Sequence, residues 1–547
     1  MKFEKIYNDN KNERFSILSA ENNGLHFCYW REHFLQNRPS WPINAVFEVT
    51  FDNRTDLVKN YRGIQIKEML EINNASSNSY ECHENKRFSQ LELTDLLKGN
   101  SVTPLVFIAC QFDEFELQLL KVYRQVAFLS CQFNGNARFI ESIFEHSVFF
   151  SNSTFSRHFS FKKTIVNGSA HFEGVSFSGQ GGVSFRGFQA KNLFLDFAIN
   201  GPNDITWLNE MDISGVLSIG GEFKSELQFL NDQDKLGNSK IHTIGDIVIG
   251  QDLYQAENAN QTLINSKLVF NGYQIQSAIN IMKTDVEEVN ISNLTCKSIN
   301  IHDLSTSKDL LIEHCHFSDY VSLKLNKSSV GRHLKIENNQ FNGTVDFSGS
   351  AVSENSYFES NKCQRETKLD LRKFTSSRFI IEPETVLNQY ANGSLLTPTK
   401  FSLIEIESTQ QEKSDVYCSL KHWLADSGKL DMEDIAYFHM RDNHQLSPLK
   451  KMLFGRIFGW GVRLTNLAIF SLLLILTFAL GFDSLLNELS FSQAIALSFQ
   501  SFISSFFGEW QSFNSVGLIT TIVTIESIIG ILFITIFIGA YIRKLLR

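Results

Sequence analysis

The sequence predicts a mixed fold: a parallel β-solenoid, then an α-helical connector, then a membrane domain with two transmembrane helices and a re-entrant helix between them. Three observations predict this fold. Phe occurs 49 times in 547 residues and recurs about every five residues in one region. Short stretches of alternating apolar and polar residues follow that region, and hydrophobicity then rises abruptly near residue 464.

These changes along the chain divide it into four expected regions. Residues 1–105 show no pattern that assigns a fold, and we interpret them as a cap, because the ends of a solenoid expose core and need covering. We expect the solenoid over residues 106–380, the connector over 381–455 and the membrane domain over 456–547. Residues 1–12 lack the apolar run of a secretory signal, so the N-terminal region is expected in the cytoplasm.

The solenoid prediction begins with the spacing of Phe. A small residue tends to lie two positions before each Phe, as Ser142 does before Phe144. A period of five fits neither a helix nor a simple strand, but it fits a tight four-sided coil in which Phe stacks on Phe and the small residue fills the other inward position. The repeating Phe residues are Phe128, Phe133, Phe139, Phe144 and Phe149. Over residues 126–188 the chain resembles the pentapeptide-repeat family of right-handed quadrilateral β-helices.

Looser coils are predicted over residues 213–374. Short segments there alternate apolar and polar side chains, and two of them, LLIEHCHF at 310–317 and LKIENNQF at 334–341, match at a spacing of twenty-four. Such spacing favours larger coils of the same or a neighbouring parallel β-helix. A sandwich of short strands is the alternative, but it would need more turn residues than seven prolines supply.

The connector is predicted to contain two helices. Residues 414–444 have helical spacing that is broken at Gly428, with Asp431 as the expected N-cap of the second helix. The charge of this segment is balanced and it precedes the membrane domain, so we interpret it as a linker and not as a DNA-reading motif.

Two transmembrane spans are predicted, at residues 464–482 and 516–542. No Lys or Arg occurs from 464 to 542, whereas basic residues precede the first span and follow the second, which places both termini in the cytoplasm. Between the spans, residues 491–507 are apolar and short, and we interpret them as a re-entrant pore helix covered by an oligomer. An interfacial helix lying flat on the outer leaflet is the alternative.

The connector, the segment FGRIFGWGVR at 454–463 and the hairpin together resemble the bacterial proteins that join pentapeptide repeats to a two-transmembrane ion-channel domain of potassium-channel type. The resemblance is strongest over residues 417–547, where Glu526 and Gly530 occupy the family's Glu and Gly positions in the inner helix. It implies a homotetramer in the bacterial inner (cell) membrane that conducts a monovalent cation, K⁺ or Na⁺. It implies no cofactor and no catalytic residue.

The filter departs from that family. T-V-G-Y-G-D is absent, and SSFFGEW takes its place, so we do not expect potassium selectivity of the usual kind, which requires glycines that turn successive carbonyls inward. Glu509 would form a ring of four carboxylates at the outer mouth and attract cations. The predicted ion pathway consists of Ser504, Ser505, Phe506, Phe507, Gly508 and Glu509.

Three inner-helix residues are candidates for gating or structure. An ionisable residue inside an apolar helix suggests function by default, but we favour a structural carboxylate at Glu526, hydrogen-bonded behind the pore helix to groups such as Ser501 or Ser504. Gly530 and Gly539 contribute to a small-residue stripe, which fits either a hinge or close helix packing.

Other classes of function are weighed against the channel. A net charge of −9 argues against nucleic-acid binding, eight scattered cysteines without a C-x-x-C pair argue against a metal site, and no catalytic motif is found. A membrane-anchored solenoid scaffold with a non-conducting hairpin remains the alternative. No Arg-rich span is present, so the stimulus would be membrane tension, a cytoplasmic ligand or a protein partner.

Overall fold

The computed structural model describes residues 2–4, 17–19, 81–177, 182–199, 206–224, 226–231, 242–250, 262–364, 367–382, 394–398, 401, 404, 407–485, 490–507 and 517–545. The chain separates into two compact units, Met1–Ser377 and Arg378–Arg547. The cap was predicted over residues 1–105, and its residues 1–80 lie almost entirely outside the described residues. The described part of residues 1–80 is a short antiparallel pair, Lys2–Glu4 with Ile17–Ser19.

The first unit is a parallel β-solenoid of about 12 turns, consistent with the pentapeptide-repeat-like fold. Each strand pairs with the strand one coil further along the chain, so the backbone hydrogen bonds run between coils. The described strand pairs of the solenoid are parallel, which excludes the antiparallel sandwich as an alternative for this region.

The strands of the first coils are short, and those of the first half of the solenoid are Glu81–Glu84, Arg87–Phe88, Leu105–Ile108, Gln111–Phe112, Phe115–Gln118, Lys121–Val122, Val126–Leu129, Gln132–Phe133, Ala137–Ile140, Ile143–Phe144, Val148–Ser151, Thr154–Phe155, Phe159–Ser160, Ile165–Phe177, Val183–Ser184, Gln189–Ile199, Thr206–Trp207 and Asp212–Phe223. The strands of the second half are Leu227–Leu230, Thr243–Ile249, Thr262–Asn271, Gln274–Ile275, Ala278–Ser292, Thr295–Cys296, Ser298–Thr306, Leu310–Glu313, His316–Phe317, Val321–Asn326, Ser329–Val330, Leu334–Glu337, Gln340–Phe341, Thr344–Asp346, Ala351–Glu359, Lys362–Cys363, Leu369–Asp370 and Thr375–Ile381.

The solenoid begins earlier in the chain than residue 106. Glu81–Glu84 pairs in parallel with Leu105–Ile108, so residues 81–105 form its first coil. This coil carries a helical insertion, α1 (Gln90–Lys98), which begins with a capping box between Ser89 and Glu92. The insertion interrupts the regular Phe spacing, which is why the sequence pattern missed this coil.

The Phe repeat alternates between steps of five and six residues. The core positions run through Phe128, Phe133, Phe139, Phe144, Phe150, Phe155 and Phe161. Phe150 is stacked between Phe128 and Phe172 at 4.8 Å on either side. The strict period of five was therefore wrong at Phe149, whose ring stacks instead on His171, outside this column. Each coil is about 22 residues long here, as the pairing of Phe128 with Phe150 shows, so a repeat of five falls out of register.

Two features of the coils agree with the sequence pattern. The small residues near each Phe are buried: the Ser142 hydroxyl donates to the Leu117 carbonyl at 3.3 Å, and Ser153 makes the same contact with the Phe128 carbonyl at 3.2 Å. The spacing of twenty-four in the later coils is confirmed, since Leu310 pairs with Leu334.

The second unit is helical. The connector helices are α2 (Gln410–Asp426) and α3 (Leu430–Asn443), and a short helix (Pro448–Lys450), a π-helical segment (Lys451–Ile457) and a 3₁₀ turn (Gly459–Gly461) follow them. The remaining helices are α4 (Leu464–Leu485), α5 (Phe491–Phe507) and α6 (Leu518–Leu545).

The two connector helices are joined by a tight turn. Gly428 adopts the left-handed conformation with φ of +69°, which favours glycine and ends α2. Asp431 was expected to cap α3 but lies in its first turn, and the N-cap residue is Lys429, whose side chain makes no capping bond. The expected cap was wrong because α3 begins two residues earlier than the pattern suggested, directly after the turn at Gly428.

Candidate functional site

Two helices of the second unit, α4 and α6, are long and apolar enough to cross a membrane. At 1.5 Å per residue, α4 with 22 residues extends about 33 Å and α6 with 28 residues about 42 Å. Large apolar side chains on both helices are exposed, including Leu472 and Leu480 on α4 and Ile528 and Leu532 on α6. A surface of this kind is typical of contact with lipid or with other subunits.

Helix α5 packs against both of these helices. One buried cluster joins Phe502 of α5 with Ile475 of α4 and Phe533 of α6. A second cluster joins Ala494 and Leu497 of α5 with Phe482 of α4. The three helices therefore share one apolar core, and α5 is not a separate surface helix within this unit.

Glu526 lies in the centre of this arrangement with no exposed surface. Its Oε1 forms a short hydrogen bond with the hydroxyl of Ser498, which is also fully buried. The same hydroxyl lies 2.8 Å from the Ile475 carbonyl oxygen. The sequence prediction named Ser501 or Ser504 as partners of Glu526. The described partner is Ser498, which lies one turn earlier than Ser501 on α5.

A second polar contact lies beside the first. The Ser527 hydroxyl is 2.8 Å from the carbonyl oxygen of Ser501 and 2.9 Å from that of Val523. The Ser501 hydroxyl itself donates to the Leu497 carbonyl at 2.8 Å. The buried face of α5 therefore makes two polar contacts with α6, one through Ser498 and one through Ser501.

Gly530 is the point of closest approach between α5 and α6. A Cβ atom built on Gly530 would overlap the carbonyl oxygen of Phe502 and lie 2.9 Å from its carbonyl carbon. Glycine is therefore required here for packing. Gly539 differs, because nothing lies within 4 Å of a Cβ built there.

The predicted filter is only partly described. Ser504, Ser505, Phe506 and Phe507 form the last turn of α5. Gly508 and Glu509 lie outside the described residues.

The sequence analysis missed a contact at the C-terminal end of α6, which is predicted to lie on the cytoplasmic side. Asp434 of α3, almost fully buried, lies 4.0 Å from Arg543 and 3.7 Å from Lys544 at the end of α6. The Arg543 guanidinium also lies 4.7 Å from the centre of the Tyr437 ring. Helices α3 and α6 are thus joined by charge. A single acidic residue in a segment of balanced charge gave no signal of this contact.

A turn whose residues have left-handed backbone conformation lies directly before α4. Gly459, Trp460 and Gly461 all have positive φ, and a Cβ built on Gly459 would lie 2.7 Å from the Cβ of Arg463. Asn466, fully buried in the first turn of α4, donates to the Arg456 carbonyl at 2.9 Å. A polar residue inside an apolar span was the signal that could have identified Asn466 from the sequence.

Within the described part of the chain, no group of three or more His, Cys, Asp or Glu residues is placed to hold a metal ion. Comparisons of the chain with protein-family models, with curated proteins and with solved structures found no match in any of the three. The resemblance to the pentapeptide-repeat channels therefore rests on the motifs of this sequence.

Proposed function

We propose that this chain forms a homotetrameric channel in a bacterial inner membrane, with both termini in the cytoplasm, that conducts monovalent cations, K⁺ or Na⁺. In this proposal α4 and α6 are the outer and inner helices of each subunit, and α5 is a re-entrant pore helix. The solenoid acts on the pore through the connector helices.

The observation that carries the proposal is the register between α5 and α6. Ser498 contacts Glu526, and four residues further along each helix Phe502 contacts Gly530. The two helices therefore run in the same direction side by side. Gly530 lies near the middle of α6, so α5 enters the thickness that α6 spans.

The chain must then return from the end of α5 to the start of α6. Helix α5, with 17 residues, advances about 25 Å. Residues 508–517 provide ten residues for the return, which in extended form reach roughly 33–36 Å. This length is sufficient for the chain to return to the side on which α5 begins. At membrane depth such a segment needs protein or a water-filled path around it, which favours an oligomeric pore.

Selectivity for cations follows from the charges of the outward connection. Residues 464–542 contain no Lys or Arg, whereas Asp483 lies in the last turn of α4 and Glu488 and Glu509 follow in the connections on either side of α5. Four copies around an axis would attract cations to the entrance. Because T-V-G-Y-G is absent, strong preference for K⁺ over Na⁺ is not part of the proposal.

The proposal is tested by reconstituting the purified full-length protein in liposomes and measuring cation flux with K⁺ and with Na⁺, beside its mass in detergent. We expect a tetramer and flux of both ions, with little flux of chloride. A monodisperse monomer without flux would contradict the channel and favour the membrane-anchored scaffold.

A further inference from the structure

A cavity of about 390 Å³ lies in the second unit where α3, the start of α4 and the end of α6 meet. We call it the α3–α4 cavity. Its lining includes Arg463, Leu464 and Thr465 around the start of α4, Asp431 and Asp434 of α3, and Lys544 of α6. The polar lining residues belong to three different elements, so the cavity depends on the packing of the whole unit.

The charged residues that line the cavity differ in the ion pairs that they make. Asp434 is shared between Lys544 and Arg543, at 3.7 and 4.0 Å. The lining holds two basic residues, Arg463 and Lys544, and two acidic residues, Asp431 and Asp434, of which Asp434 is engaged with Lys544.

Arg463 is the basic residue of the lining that makes no ion pair among the described residues. Its Nη1 atom is buried and has no hydrogen-bond partner among the described residues. Burial lowers the pKa of Arg463, because desolvation disfavours the cation. A half-buried guanidinium without an acceptor is costly, and an anionic ligand with several oxygen atoms would satisfy it.

The position of the cavity identifies the class of anion. It borders Leu464 and Lys544, which lie at the same boundary of the two helices that are apolar enough to cross a membrane. Basic pockets between such helices, at the level of the headgroups, are suited to phosphate groups. Thr465 supplies a hydroxyl group. The N–H groups of Leu464 and Thr465 begin α4 and have no acceptor within the helix, whereas that of Asn466 donates to the Arg463 carbonyl at 3.2 Å.

We propose that the α3–α4 cavity binds a phosphate group, supplied by the headgroup of an anionic phospholipid or by free phosphate. Arg463 holds the phosphate oxygens, with Thr465 and Lys544 beside it. The inference rests on the membrane insertion that is part of the proposed function, but not on conduction. A bound phosphate would join the start of α4 to the end of α6 and would compete with Asp434 for Lys544.

The test uses the full-length protein in a neutral detergent, and its readout is the melting temperature. The protein is titrated with phosphatidylglycerol micelles, with phosphatidylcholine micelles and with inorganic phosphate. We expect phosphatidylglycerol to raise the melting temperature more than phosphatidylcholine does. A shift that inorganic phosphate alone reproduces would assign free phosphate as the ligand.

Two variants locate the site. Arg463→Gln should weaken binding roughly tenfold to a hundredfold, as expected for the loss of a charge-assisted hydrogen bond. Lys450→Gln removes the same charge at an exposed residue outside the cavity and should leave binding unchanged. If Arg463→Gln fails to fold, Thr465→Val is used and should weaken binding severalfold.

Three results would overturn the inference: no shift with either phosphate source, equal shifts with the two lipids and none with inorganic phosphate, or equal losses in the cavity variant and Lys450→Gln. Because the measurement needs no ion flux, its failure is distinguishable from failure of the channel proposal.

Discussion

Gly530 of α6 lies directly against the backbone of Phe502 of α5, with no room for a side chain between them. Gly530→Ala should therefore force the two helices apart, at a cost of about 1–3 kcal/mol typical of overpacking. We expect a lower melting temperature of the full-length protein in detergent and reduced cation flux.

Gly539 on the same helix provides the matched control. A Cβ built there meets nothing within 4 Å, so Gly539→Ala should be neutral or slightly stabilising through helix propensity. Equal losses of melting temperature in the two alanine variants would show that the α5–α6 contact is not as described.

Glu526 and Ser498 form a second test of the same interface. The Ser498 hydroxyl has one proton but contacts two oxygen atoms, those of Ile475 and Glu526. The oxygen atoms concerned are the Ile475 carbonyl oxygen, the Ser498 hydroxyl oxygen and Oε1 of Glu526. All three are hydrogen-bonded when the Glu526 carboxyl group carries a proton on Oε1 and donates it to Ser498, while Ser498 donates to Ile475. Glu526→Gln, whose amide can also donate, should then keep the melting temperature and the oligomeric mass close to those of the parent.

Glu526→Ala is the contrasting variant. It removes the donor and leaves a cavity beside the buried Ser498, so we expect destabilisation by about 2–4 kcal/mol and loss of flux. If Gln were as damaging as Ala, a neutral donor at Glu526 would not explain the contact.

The contact of Asp434 with Lys544 predicts coupling between the connector and α6. Each of Asp434→Asn and Lys544→Gln should shift the open probability measured in single-channel recordings. The double variant should show less than the sum of the two effects, with a coupling of about 0.2–1 kcal/mol, since Asp434 is largely buried but Lys544 is 43% exposed.

The control for this cycle pairs Asp431→Asn with Lys544→Gln. Asp431 lies on the same helix but is exposed, so its effect should add to that of Lys544. Additive effects in the Asp434 cycle as well would remove the evidence that this ion pair joins the connector to the pore.

Glu173 in the solenoid predicts a dependence of stability on pH. Burial raises the pKa of Glu173 to about 8, because desolvation disfavours the carboxylate, and the side chain is only 16% exposed. In the unfolded chain the group loses its proton near pH 4.5, whereas in the folded chain it keeps the proton until about pH 8. Stability should therefore fall as pH rises between these values, by up to about 1.4 kcal/mol per pH unit.

Glu173→Gln should flatten this dependence in melting curves followed by circular dichroism between pH 5 and 8. Glu145→Gln serves as the control, since Glu145 pairs with Lys121 at 2.8 Å and this pairing lowers its pKa. Its effect should be the same across that range. A parent protein whose solenoid melts at one temperature from pH 5 to 8 would contradict the burial of an uncharged Glu173.

The sequence predicted those parts of the fold that depend on local pattern. The Phe repeat and the spacing of Leu310 and Leu334 indicated stacked coils, because each coil repeats the same inward side chains. The alternation of five and six residues, which puts Phe150 and not Phe149 in the core column, was not predicted. This alternation depends on the number of residues in each corner of the coil. The few repeats that are clear in the sequence do not reveal that number.

The candidate site was less predictable than the fold. Glu526 and Gly530 were identified because a charge and a glycine are conspicuous in an apolar helix. Ser498 and Asp434 were missed, since a serine in α5 and an acid in the connector become notable only through the tertiary contacts that they make.

The central claim, a cation-selective pore with Glu509 at its mouth, is tested most directly by recording the purified protein in planar bilayers under a tenfold salt gradient. The parent should reverse near the cation equilibrium potential, about 59 mV from zero. Glu509→Lys should move the reversal potential toward or past zero, and Glu488→Gln should leave it nearly unchanged. A parent that carries no current, or a Glu509→Lys variant that reverses as the parent does, would contradict the account.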